Sequence, residues 1–108
     1  MSPDRAQHWS AHLPPEHDGC FDLPAPGTLV GAWTDRLTDD PDRPLLHADG
    51  AWTTRGEFLE RTSTVAGRLA ASGLVAGDRV LVSGPSSLEL AAAHVACLRL
   101  GLVVVPVN

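Results

Sequence analysis

The side chains that could bind a metal ion are concentrated near the N-terminus. His8 and His12 lie one helical turn apart, and His17 and Cys20 have the spacing of a chelating pair. Structural zinc sites use such nitrogen and sulfur ligands, but they carry them as paired C-x-x-C or H-x₃-H ligands on ordered turns. Two consecutive prolines separate the pairs here and break any common helix. We therefore expect no zinc site and interpret residues 1–27 as a disordered leader that contains proline and histidine.

A serine-containing loop, Ser83–Ser87, is the candidate for binding phosphate. It joins an apolar run to the start of a predicted helix, and the free N–H groups of a helix N-terminus attract anions. The loop contains one glycine and matches neither G-x-G-x-x-G nor G-x-x-x-x-G-K. We interpret it as an ordinary strand-to-helix turn with capping serines. A small nucleotide-binding protein that uses this loop is the weaker alternative.

The basic residues exclude several kinds of chemistry, because the chain contains no lysine. The Lys+Arg count of 8 is made up entirely of Arg5, Arg36, Arg43, Arg55, Arg61, Arg68, Arg79 and Arg99. A lysine phosphate clamp, a Schiff base and a lysine general base are therefore all impossible within this sequence.

The other residues with chemical potential are interpreted as structural. His94 and Cys97 lie one turn apart on a predicted buried helix, and no Asp or Glu in that turn could orient the imidazole. We expect His94 to be a hydrogen-bonded core or interface histidine. The acidic run Asp39–Asp42 lacks the spaced ligands and terminal glutamate of a calcium loop, so it predicts a turn. Trp33 and Trp52, at the starts of apolar elements, are interpreted as core anchors.

Composition limits the class of protein. A length of 108 residues allows one domain at most. A content of 44% hydrophobic and 19% charged residues is typical of a globular protein. A net charge of −5 argues against a nucleic-acid surface. The apolar runs fall short of the roughly 18 residues that span a bilayer, and Met1–Cys20 has no secretory pattern. With two cysteines far apart in sequence, we expect a cytoplasmic protein without a disulfide framework or a membrane span.

The first ordered segment predicts a helix followed by a hairpin. Thr28 is a suitable N-cap for a helix whose apolar face is Leu29, Val30, Trp33 and Leu37. The acidic run ends that helix, since a proline disfavours helical backbone in the residue before it. Asp49-Gly50, between two short apolar runs, predicts a hairpin turn because both positions tolerate positive φ.

A second helix follows the hairpin. Thr54 and Glu57 form a T-x-x-E capping box at its start, and Gly73 is a suitable residue just beyond its end. Its predicted buried face combines three apolar residues with a threonine: Phe58, Thr62, Val65 and Leu69.

The last segment predicts strand, helix and strand. A short strand covers 79–83, and Ser86 with Glu89 predicts another capping box. The helix that follows is apolar nearly all round, so we expect burial on more than one side before Gly101 ends it. Its first and last turns carry Glu89 and Arg99, which complement the helix dipole. The run 102–107 is typical of a parallel strand covered on both faces.

These elements predict an α/β fold: a short hairpin and a βαβ unit of a mostly parallel sheet. Two parallel strands with one apolar helix cannot cover their own edges and faces. We therefore expect residues 28–108 to be the N-terminal portion of a larger, truncated domain. We also expect residues 1–108 alone to unfold partly or to aggregate, because a partial core offsets too little chain entropy. A sharp cooperative melt would contradict that expectation.

Several blocks of sequence, in a fixed order, carry a family resemblance. They are DPDRP (40–44), DGAWT (49–53), the helix from Glu57-Phe58 to Gly73, GDRV (77–80), GPSSLE (84–89) and ACLRLG (96–101) to VPVN (105–108). In these blocks the chain resembles the start of the adenylate-forming ligases, which include acyl-CoA synthetases, adenylation domains of peptide synthetases and beetle luciferases. Thr54 stands where many members have tyrosine, and we expect no functional consequence.

The resemblance implies a two-step ligase. A carboxylate attacks the α-phosphate of ATP to give an acyl-adenylate, and a thiol, usually that of coenzyme A, then takes the acyl group. Mg²⁺ and a C-terminal lysine stabilise the charge in the family, but its phosphate loop, nucleotide contacts and lysine lie beyond Asn108. No catalytic, cofactor-binding or metal-binding residue is therefore assigned, and we expect this fragment to be inactive alone. The alternative is a non-catalytic interaction module that docks on a complementing partner chain.

Overall fold

A computed structural model describes residues 14–16 and 27–107. The predicted leader, with its candidate zinc ligands, lies almost entirely outside the described residues, and residues 14–16 are exposed. Seven elements follow: α1 (Leu29–Thr38), β1 (Pro44–Ala48), β2 (Ala51–Thr54), α2 (Arg55–Ala71), β3 (Arg79–Val82), α3 (Leu88–Arg99) and β4 (Val103–Pro106).

The first helix and the hairpin confirm the local signals in the sequence. The Thr28 hydroxyl accepts from the Gly31 N–H at 3.0 Å, and α1 ends just before the acidic run. β1 and β2 pair antiparallel, and both residues of the turn between them have positive φ, +52° at Asp49 and +78° at Gly50. This backbone matches the right-handed twist of the strands, which is why Asp-Gly is favoured there.

The capping box of α2 is also confirmed. The Thr54 hydroxyl accepts from the Glu57 N–H at 3.2 Å, and the Glu57 carboxylate accepts from the Thr54 N–H at 2.8 Å. Each side chain thereby satisfies a backbone donor that the first helical turn leaves free. Gly73 follows the helix with φ of +94°.

The predicted capping box of α3 is wrong by one residue. The N-cap is Ser87, whose extended backbone precedes the helix and whose hydroxyl accepts from the Leu90 N–H at 3.1 Å. Ser86 lies outside the helix and is exposed. Glu89 points across to Arg61 on α2, at 3.0 Å, so it cannot close a box with Ser86. The S-x-x-E spacing selects Ser86, but the backbone conformation makes the adjacent Ser87 the N-cap.

Strands β3 and β4 pair in parallel, with α3 as the crossover between them. Every residue of α3 except Glu89 is buried or half-buried, which confirms its expected burial on more than one side. The expectation that the last strand is covered on both faces is wrong for the described residues, because Val103 in β4 is 46% exposed. Leu81, in the paired strand β3, is 72% exposed. In this segment α3 covers one face of the strand pair and leaves the other bare.

The core lies between the helices and the hairpin. The buried residues of this cluster are Leu37, Phe58 and Ala92, with half-buried apolar residues from β1, α2 and α3 around them. The interpretation of two tryptophans as core anchors is wrong, because Trp33 is 39% exposed and Trp52 is 62% exposed. Trp52 lies on a two-stranded hairpin with no layer over that face, and its ring stacks at a tilt on cross-strand His47, 5.1 Å away.

Candidate functional site

The Ser83–Ser87 loop lies at the carboxyl end of β3, the edge of a parallel sheet at which ligands commonly bind. Its one glycine, Gly84, has φ of +152°, a conformation that other residues rarely adopt. The Ser87 hydroxyl is engaged by the helix it caps. Ser83 and Ser86 are exposed, and neither is held by a second element. The geometry is that of a strand-to-helix turn, as the sequence predicts.

His94 and Cys97 lie on α3 but do not form a catalytic pair. Cys97 is buried, and desolvation raises the pKa of its thiol above the ordinary value of 9.0. A raised thiol pKa reduces the fraction of thiolate, which is the nucleophilic form. His94 is half-buried and borders a shallow depression beside Trp33. It makes no hydrogen bond to another described residue, so the hydrogen-bonded role expected for it stays a prediction.

The acidic run after α1 is a turn held by the start of α2. The Arg55 guanidinium donates to the carbonyl oxygens of Arg36 at 3.0 Å and Asp39 at 2.6 Å. The Gly56 N–H donates to the Pro41 carbonyl at 2.9 Å. An arginine at the C-terminal end of a helix satisfies its free carbonyls and complements its dipole. Within residues 14–16 and 27–107, no group of three metal-ligating side chains comes together.

A polar connection between α2 and α3 was not predicted from the sequence. Arg99 donates to the hydroxyls of Thr62 and Ser63, each at 2.8 Å. Thr62 is fully buried and donates in turn to the Leu59 carbonyl at 2.8 Å. The position of Arg99 in the last turn of α3 predicts an interaction with the dipole of its own helix, whereas the side chain reaches across to the neighbouring helix. The available signal was the threonine within the apolar face of α2, since a buried hydroxyl requires a partner.

Two further surface depressions flank the helices. One is an open groove with mixed charges, bordered by Glu57, Arg61, Arg68 and Glu89. The other, of about 270 Å³, is almost entirely apolar and is lined by Trp33, Arg36, Leu37, Leu45, Leu46, Phe58, Ala91 and Val95. Neither brings a nucleophile, a base and an electrophilic group together, as a catalytic site requires. Among the described residues, the side-chain contacts reported above join helices and turns to one another.

No helix in the described ranges is long and apolar enough to cross a membrane. The search of curated proteins gave no match. Solved structures give close matches to the fold. The N-terminal subdomain of Klebsiella oxytoca NpsA in complex with 3-hydroxybenzoyl-AMSN superposes with a TM-score of 0.70 at 31% identity, covering 74% of this chain and 20% of that one.

Two further structures agree. An artificially fused adenylation–PCP di-domain, NpsA-ThdA from Klebsiella oxytoca, matches with a TM-score of 0.66 and 33% identity over 73% of this chain and 15% of that one. A putative long-chain-fatty-acid CoA ligase from Rhodopseudomonas palustris matches with a TM-score of 0.70 and 28% identity, covering 75% of this chain and 21% of that one. This chain therefore spans about a fifth or less of each of these structures.

The fold is thus the α/β fold of the N-terminal subdomain of adenylate-forming domains, of which this segment provides the hairpin and the parallel strand pair. A sequence model described as "AMP-binding enzyme" matches residues 33–108, well over half of the chain. The chain belongs to the AMP-binding enzyme family.

Proposed function

We propose that residues 28–108 form the N-terminal part of an adenylate-forming ligase of the acyl-CoA-synthetase type. Such an enzyme joins a carboxylate to ATP to give an acyl-adenylate and pyrophosphate, and then passes the acyl group to a thiol such as coenzyme A. The observation that carries adenylate formation is the superposition on NpsA, at 31% identity over 74% of the chain. The acyl-CoA type is supported by the match to the putative long-chain-fatty-acid CoA ligase, at 28% identity over 75% of the chain. We place the activity in the cytoplasm, where ATP and reduced thiols coexist.

The role of this segment is to support a site rather than to line it. ATP with Mg²⁺ needs convergent basic groups and a carboxylate set, but Arg55, Arg61 and Arg99 are engaged by groups of the segment itself, and the described residues hold no metal-ligating cluster. The residues present therefore do not fit the nucleotide or the metal, and no chemical step is assigned to them. Their contribution is the packed α2–α3 pair and the parallel strands that carry the rest of the sheet.

A chimera tests this proposal. Residues 28–108 replace the equivalent segment of the NpsA N-terminal subdomain, and exchange of pyrophosphate into ATP is followed with 3-hydroxybenzoate or anthranilate. We expect exchange within tenfold of the parent, because the segment supports the site without touching the substrate. A folded chimera with no exchange would contradict the proposal. Purified residues 1–108 are expected to show no ATP-dependent acyl-adenylate or acyl-CoA formation, and activity in that chain would contradict the supporting role.

A second candidate function is a non-catalytic module that docks on a complementing chain. The observation in its favour is the exposure of large aliphatic side chains on the strand pair, with Leu81 72% exposed. Sedimentation of the purified chain provides the first test. A stable monomer that neither aggregates nor binds a partner would remove the basis for this candidate.

A further inference from the structure

Helix α1 leaves a gap over the core, the apolar cleft of about 270 Å³ described above. The cleft lies between α1, β1, α2 and α3, so its walls come from the helical side of the segment and not from the strand pair. Among its lining residues, Leu37 and Phe58 are buried, whereas Trp33 is 39% exposed. Its volume is close to that of the smallest known small-ligand pockets, about 300 Å³, which are likewise mostly apolar.

The shallow depression that His94 borders adjoins this cleft. The two share Trp33, Ala91 and Val95, so these side chains stand between them. The imidazole of His94 makes no hydrogen bond to another described residue, and even a neutral imidazole carries one N–H donor. The cleft therefore has an apolar interior with polar groups beyond its edges.

No carboxylate lines either depression. The chain carries 13 acidic residues against 8 arginines, yet the acidic residues nearest to the cleft in sequence, Asp35 and Asp39, are not among the lining residues. Arg36 does line the cleft, and its guanidinium forms no hydrogen bond or ion pair with another described residue. Because the lining is almost entirely apolar, Arg36 contributes its aliphatic stem and keeps its charged group at the edge. Charge complementarity at that edge favours an anionic head group over a cationic one.

We propose that the cleft is a binding site for a small aliphatic monocarboxylic acid. The apolar tail packs against Leu37, Phe58 and Val95, beside the ring of Trp33. The carboxylate lies at the edge of the cleft, where the Arg36 guanidinium donates to it. Burial of the tail supplies most of the affinity, because a single exposed ion pair contributes little. The proposal goes beyond the ligase function and does not depend on it, since binding here requires neither ATP nor a reacting group.

Titration with three eight-carbon probes tests the proposal. Residues 1–108, and in parallel the NpsA chimera, are titrated with octanoate, octanol and octylammonium, and NMR follows the indole of Trp33 and the methyl groups of Val95. We expect saturable octanoate binding with a Kd on the order of 1 mM. Octanol is expected to bind about twofold to fivefold more weakly, because it lacks the ion pair, and octylammonium more weakly still.

Three variants separate the charge from the shape of the cleft. Arg36→Gln is expected to weaken octanoate binding about twofold to fivefold and to leave octanol binding unchanged. The matched control is Arg68→Gln, because Arg68 is an exposed arginine on α2 that borders the mixed-charge groove and not the cleft. Ala91→Leu fills the space between the two depressions and is expected to weaken both probes at least about tenfold. Circular dichroism checks the fold, and Arg36→Gln decides the test if Ala91→Leu unfolds.

Three results would overturn the proposal. The first is the absence of a saturable shift at Trp33 and Val95 in both proteins. The second is equal binding of octanoate and octylammonium, or equal weakening by Arg36→Gln and Arg68→Gln, which would remove the carboxylate from the cleft. The third is binding by residues 1–108 that disappears in the chimera, because the rest of the domain would then cover the cleft. Pyrophosphate exchange by the chimera is a separate readout: octanoate binding without exchange supports this site and contradicts the ligase function alone.

Discussion

The two sides of this segment differ in how much of their surface is covered. On the helical side, Phe58 and Ala92 are buried, and the one buried polar side chain there, Thr62, has its partners within the described residues. On the face of the β3–β4 strand pair that α3 does not cover, Leu81 is 72% exposed. The helical side is thus packed within the described residues, whereas the strand pair is covered on one face only. Helices α2 and α3 cover each other directly, whereas a parallel strand needs a layer on each side.

The largest effect is expected in the helical core. Phe58→Ala removes a ring that packs among α1, the hairpin and α3, and we expect a loss of about 3 to 5 kcal/mol in stability. Phe58→Leu, which retains most of the volume, serves as the control with a much smaller loss. The measurement is the free energy of opening of α2 amides by hydrogen exchange in the NpsA chimera. A loss below about 1 kcal/mol for the alanine variant would show that the helical side is not the tightly packed one.

The next effect distinguishes two arginines that both bridge α2 and α3. Arg99→Ala removes two short hydrogen bonds to Thr62 and Ser63 and leaves a buried hydroxyl without its donor, so we expect a loss of about 2 kcal/mol. Arg61→Ala removes an exposed ion pair to Glu89 and is expected to cost less than about 0.5 kcal/mol. The same exchange measurement applies. Equal losses in the two variants would mean that the Arg99 hydrogen bonds to Thr62 and Ser63 stabilise the helix pair no more than the exposed ion pair does.

A smaller effect tests the junction between the two sides. Gly101, at the end of α3, has φ of +71°, and a Cβ there would approach the Ala76 Cβ to 3.2 Å. Gly101→Ala is expected to destabilise by about 1 to 2 kcal/mol, because the left-handed backbone disfavours a side chain. Gly67, within α2, has open space around its Cβ direction, so Gly67→Ala is expected to stabilise by about 0.5 to 1 kcal/mol. Thermal unfolding of the chimera measures both, and effects of the same sign would contradict this reading.

The smallest effect concerns the start of α3. Ser87→Ala removes the hydroxyl that accepts from the Leu90 N–H and is expected to cost about 1 kcal/mol. Ser86→Ala, at an exposed position outside the helix, is expected to change stability by less than about 0.5 kcal/mol. Hydrogen exchange of the first-turn amides of α3 compares them. A larger loss for Ser86→Ala than for Ser87→Ala would support Ser86 as the N-cap, as the sequence pattern predicts.

Local chemistry accounts for the parts of the fold that could be predicted. The Asp49-Gly50 turn and the Thr54–Glu57 box depend on residues within a few positions of each other, and both are confirmed. The errors arise where the decision is not local. The S-x-x-E spacing favours Ser86, although the backbone conformation makes Ser87 the N-cap. Trp33 and Trp52 are apolar side chains whose burial depends on which other elements reach them.

The sequence by itself determined the order of elements, most of their boundaries and the family, because turns, caps and apolar runs act through neighbouring residues and because the matching blocks are contiguous. Only the tertiary structure decided which apolar residues are covered. Arg99 reaches Thr62 across 37 positions of sequence, and Leu81 lies exposed beside Val105. Such contacts join residues that are distant in the chain, so their existence depends on how the helices and strands pack and not on the residues adjacent to them.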